Sequence, residues 1–140
     1  MKVKEFREKY DGIFAKISDF MARHKNAYTD EDCSAVVDEL TGFSCRCQLE
    51  SDLMVAVFME LDRVIRLKNE TGSSPEVDYR FMFKEIYNFA LRCYQYDLSH
   101  PATRERLRID FETQKSRSAF EKKMADAVYK EIIERQSAAA

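Results

Sequence analysis

The sequence predicts an all-α fold, a single-domain bundle of about five helices with short connections. Three observations carry that expectation. The 140 residues include only three glycines and two prolines, too few turn-formers for the frequent reversals of a sheet. Apolar residues recur three and four apart over long stretches, the period of one helix face. Apolar content of 45% beside 34% charged residues is the balance of a chain that buries a core rather than one that stays disordered. The length suits one such core. The domain is expected to span residues 1–137, with 138–140 a disordered tail or cloning scar.

The first helix is the plainest. Val3, Phe6, Tyr10, Ile13, Ile17, Phe20 and His24 form a seam with steps of three and four, which Phe14 and Met21 widen. A short second helix follows Thr29, a good N-cap, with Asp30, Glu31 and Asp32 at the positive end of the helix dipole. Val36, Val37 and Leu40 are expected to face inward, and Gly42 to stop the helix. The third helix should begin between Ser44 and Ser51. Leu49, Leu53, Val57, Leu61 and Val64 make one stripe, and Met54, Phe58 and Ile65 a second beside it. That width implies a central helix packed on two sides.

After the linker "NETGSSP", Ser74 and Pro75 read as cap and first residue of a fourth helix. Seven aromatic residues fall between Tyr79 and Tyr96. Ser99 or His100, followed by Pro101, repeats the device for a fifth helix running toward Gln136, with a break near "TQKSRS" (Thr113–Ser118).

Several functional classes find no support in the residues. The longest apolar run, "LMVAVFM" (Leu53–Met59), is far short of the about 20 residues that cross a bilayer. The opening "MKVKEFREKYDG" is too charged for a signal peptide, so a cytoplasmic, reducing setting is expected. Three scattered glycines cannot cradle a nucleotide phosphate. No Glu-x-x-His pair of the kind that builds metal sites inside helical bundles occurs. No cofactor, metal or small-molecule substrate is expected.

The stretch "SCRCQ" places Cys45 and Cys47 one residue apart. Paired zinc ligands usually stand two to four residues apart, and thiol redox motifs have two residues between their cysteines. A zinc site could still recruit Cys33 or His24, but the preferred reading is of reduced thiols at a helix start. Cys33 and Cys93 sit on apolar stripes. Glu5, Glu8 and Asp11 share the solvent face of the first helix, and Glu131 and Glu134 flank Ile132 and Ile133 on the last. His24 ends the first helix, where a cation suits the dipole, and His100 precedes a proline. No catalytic constellation emerges, and the protein is not expected to be an enzyme.

Two features point to binding. Residues 28–62 hold nine acids and one base, a balance of −8 in a chain of net charge −2, which leaves +6 elsewhere. This block is either a solvated face or a docking surface for a basic partner. The fourth helix also carries more aromatics than one core-facing stripe uses. Tyr79, Met82, Phe83, Ile86, Ala90 and Cys93 fill that stripe, so Phe81 and Phe89, flanked by Arg80 and Arg92, are expected on a partner or self-association surface. The leading expectation is therefore a non-enzymatic protein–protein interaction module: an adaptor, inhibitor or accessory subunit.

The alternative is a nucleic-acid-binding or nucleoprotein-complex subunit that uses the basic and aromatic helices 75–97 and 101–136. Arg104, Arg108, Lys115 and Arg117 would contact phosphate, with aromatic rings stacked on bases.

Overall fold

The computed structural model describes residues 2–27, 29–42, 45, 47–73, 75–115 and 117–139, with the side chains of these positions apart from 2 and 135–139. Six helices are present among them: α1 (Lys2–His24), α2 (Asp30–Thr41), α3 (Gln48–Thr71), α4 (Tyr79–Gln95), α5 (Pro101–Lys115) and α6 (Ala119–Ala139).

Four of the six close a ring. α1 packs on α3 and α4, and α6 packs on α3 and α4 from the other side. α5 lies outside the ring against α6 and α4, while α2 lies apart from these closely packed pairs. The core is the inside of the ring. α1 contributes Phe6, Tyr10, Ile13, Ile17 and Phe20, the seam read from the sequence, together with Phe14 and Met21. Phe6 and Tyr10 meet the ring of Tyr94 edge-on, at centroid distances of 5.6 and 5.9 Å, a geometry that suits the quadrupoles of aromatic rings. Leu53, Val57 and Leu61 of α3 and Ile86 of α4 are buried as expected.

Local chemistry sets most boundaries. Thr29 caps α2 with a capping box: its hydroxyl accepts from the Asp32 amide, and the Asp32 carboxylate accepts from the Thr29 amide, each at 3.1 Å. Gly72, at φ +76°, ends α3 in the left-handed region that favours glycine. The anticipated break in the fifth helix is real and divides it into α5 and α6. Ser118 and Glu121 form a second capping box there, with the Glu121 amide donating to the Ser118 hydroxyl at 3.2 Å and the Ser118 amide donating to the Glu121 carboxylate at 3.4 Å.

Three expectations fail in detail. α4 starts at Tyr79 rather than Pro75, because Asp78 accepts the Phe81 amide at 3.0 Å and provides the cap. Pro75–Asp78 is non-helical and brings Val77 onto the core; the expected Ser74 cap lies outside the described residues. Val37 is exposed, since α2 offers only a narrow inner face, through Val36 and Leu40. Phe58 is 41% exposed although Met54 beside it is buried: α1 and α6 cover two sides of α3, and Phe58 points toward neither.

The ring also holds two buried carboxylates. Glu50 of α3 receives a hydrogen bond from Lys16 Nζ of α1 at 2.8 Å. Glu60 of α3 accepts two bonds from Arg63 at 2.8 Å and one from the Tyr79 hydroxyl at 2.6 Å, which ties α3 to α4. A third tie runs from the Tyr10 hydroxyl to Glu131 at 2.7 Å, so Glu131 is engaged rather than simply solvated.

Candidate functional site

The partner surface read on α4 does not assemble as expected. Phe81 is 53% exposed and Arg80 is exposed beside it, but Phe89 is 0% exposed. Division of the fifth helix supplies the missing cover, because α1, α5 and α6 all pack on α4. Arg92 lies against α5, with both guanidinium donors on Asp110 at 2.9 Å. The four residues therefore split between core, interhelical tie and open surface.

The basic residues of the alternative reading are similarly engaged. Arg108 donates to Glu105 at 3.0 and 2.6 Å. Arg104 donates to the Leu98 carbonyl at 3.0 Å. Lys115 lies 4.0 Å from Glu112 and 5.0 Å above the Phe111 ring. Arg117 lies 3.4 Å from Glu85 and 3.6 Å from Glu121.

The titratable groups are arranged as supports. His24 Nε2 and Arg23 both meet Glu39, which fastens α2 to α1. Against the upward push of burial, hydrogen bonds from His24 and Arg23 hold the Glu39 carboxyl below its ordinary value. Burial and then the Glu60 carboxylate push the Tyr79 phenol up, so it stays protonated and cannot act as a base near neutral pH. Among the described residues no group of three or more His, Cys, Asp or Glu is arranged to hold a metal ion, and no helix is long and apolar enough to cross a membrane.

No family model, curated protein or solved structure matches the chain.

The cysteines answer the question raised by "SCRCQ". Cys47 stands at the N-cap of α3 without a side-chain cap bond, half-buried; Cys45 is exposed; Cys33 is half-buried and Cys93 is fully buried, all as free thiols. Desolvation and then the nearby Glu50 carboxylate push the Cys45 thiol up, the opposite of what an activated nucleophile requires. Burial pushes Cys93 up further. Native-state titration with a disulfide reagent is expected to find Cys45 reacting first and Cys93 only on unfolding, with four thiols counted in denaturant. Rapid reaction at Cys93, or fewer than four, would contradict this arrangement.

What the sequence reading missed is an apolar groove between α2 and α3. It measures about 270 Å³ and is lined by Leu40, Cys45, Ser51, Met54, Val55 and Phe58. That is smaller than the roughly 300–1,000 Å³ of small-molecule and cofactor sites, so it suits one or two inserted side chains. Val55 and Phe58 continue into Met59, a stripe at i, i+3 and i+4 whose members are 54%, 41% and 46% exposed. The signal lay in "LMVAVFM", a run apolar on every side of the helix and so richer than two covered faces require. A wider cleft, about 610 Å³ between Lys25, Asn26 and the Pro75–Tyr79 strap, is lined by charges of both signs.

Proposed function

We propose that the protein is a non-enzymatic helical binding module whose protein partner docks on the α2–α3 groove and the adjoining Val55–Phe58–Met59 stripe. The observation that carries this reading is the stripe itself. Three large apolar side chains on two turns of one helix stay about half in solvent, at a cost of roughly 1 kcal/mol each relative to full burial, while the same helix buries its opposite faces. Clustered exposure of this kind marks contact surfaces, whereas single exposed residues such as Phe81 are ordinary. The carboxylates most withdrawn from water, Glu50 and Glu60, are held by Lys16, Arg63 and Tyr79, which supports a scaffold rather than a catalyst. Nothing comparable favours nucleic acid, since Arg104, Arg108 and Lys115 on α5 and Arg117 after it face acids or a carbonyl of their own chain.

A photo-crosslinking residue placed at position 58 in the native host is expected to trap a discrete protein partner. The same residue at position 81, exposed but isolated, serves as the control. Equal labelling at both positions, or none at 58, would remove the groove as the docking site.

A further inference from the structure

We propose that α2 is a flap over the groove, latched to the end of α1 through Glu39, that parts from the ring as a unit while the other five helices stay packed. α2 opens in this way whatever docks beside it; only the consequence for docking rests on the reading of the groove as a docking site. Few side chains hold α2 in place. Of its twelve residues only Val36 is buried, and Leu40 adds a half-buried contact with the core. α5, the other helix outside the ring, is fastened differently. It packs on α6 and α4, buries Leu107 and Gln114, and receives Arg92 on Asp110. Elements with few buried apolar contacts open at lower free energy than the core. α2 is also self-sufficient at its ends. The Thr29 box closes the first turn, and the Gly42 amide returns to the Asp38 carbonyl at 3.2 Å, so neither end needs a partner from the ring.

The latch has a fixed side and a moving side. Arg23 and His24 stand in the last turn of α1, and both meet the Glu39 carboxylate. The His24 ring lies 4.7 Å from that of Phe20, which is fully excluded from solvent. α1 is therefore held by the core at this point, and when the pair separates it is α2 that moves. Glu39 is followed directly by Leu40, the residue through which α2 lines the groove. Release of Glu39 frees Leu40 to leave the groove, which opens it on the side of Met54, a side chain buried in the latched form. Off the ring, a helix of this length is marginal in water, so each opening exposes its amides to solvent.

Hydrogen exchange read by mass spectrometry on the full chain is the test. In the unaltered protein the α2 amides should exchange at least about tenfold faster, relative to their intrinsic rates, than those of α3 and α6. Glu39→Ala, and Arg23→Ala on the facing helix, should each speed α2 about three- to tenfold further and leave α3 and α6 unchanged. Alanine is at least as good a helix former as the residues it replaces, so faster exchange reports the lost latch rather than a weaker helix. Asp38→Ala, exposed on the same helix, is the control and should not speed it. α2 amides as slow as those of α3, or α2 exchanging only in step with α3 and α6, overturn the flap. Glu39→Ala behaving like Asp38→Ala overturns the latch and the proposal with it. None of these outcomes bears on crosslinking from position 58, so the docking reading stands or falls separately.

Discussion

Phe89→Ser is expected to cost about 3–5 kcal/mol, enough to consume much of the roughly 5–15 kcal/mol that holds a domain of this kind together. The ring is fully excluded from solvent, on a helix that α1, α5 and α6 all contact. Serine would leave a void in a close-packed interior and add a hydroxyl there. Phe81→Ser is the matched comparison, eight positions earlier on the same helix but 53% exposed, and should change stability by no more than about 0.5 kcal/mol. Urea unfolding of the two variants checks both halves. Similar losses at the two positions would mean that α4 is not enclosed by its neighbours.

Lys16→Met is expected to cost about 3 kcal/mol, the lower end of the about 3–5 kcal/mol range for breaking a buried ion pair from one side. The two partners are unequal: the Glu50 side chain is 1% exposed and that of Lys16 is 35% exposed. Methionine retains the apolar stem that covers α3 but leaves the carboxylate without its ammonium. The double substitution Lys16→Met/Glu50→Met should recover most of the loss, because replacing both charges with apolar groups of similar size is often neutral or better. A single substitution that costs under about 1 kcal/mol would show that Glu50 is held chiefly by its other neighbours. A double variant no better than the single would mean that the site needs the carboxylate for its shape.

The helices were legible in the sequence wherever periodicity and capping agreed. The seam from Phe6 to Phe20, the Thr29 cap and the proline at the start of α5 needed only nearest-neighbour chemistry. Even the split between α5 and α6 is written locally, in Ser118 and Glu121. Placing the start of α4 at Pro75 rather than at the Asp78 cap is a local error; the errors of burial share one cause. Phe58, Phe89 and Val37 are apolar residues whose burial depends on how many helices surround their own, and that number is a property of the assembled ring. Reading Phe89 as exposed followed from counting one helix too few around α4. Reading Phe58 as buried followed from treating width of apolar surface as proof of cover. The candidate site was therefore legible in composition, through the apolar run at Leu53–Met59, but not in position.

The groove has one firm jaw and one compliant jaw. α3 is locked between α1 and α6, whereas α2 is held through Val36, Leu40 and the attachment of Glu39 to Arg23 and His24. So few anchors give α2 a small free energy of local opening, well below that of the whole domain. A swing of α2 that leaves the ring untouched changes the width of the proposed docking groove. The same swing loosens in acid. Glu39 titrates lower in the folded protein than in the unfolded chain, so the stability it contributes is present above its unfolded value and is lost as pH falls through its folded value. Acidification through that range therefore relaxes the grip of α1 on α2, which makes the width of the proposed docking mouth a graded property of the solution around it.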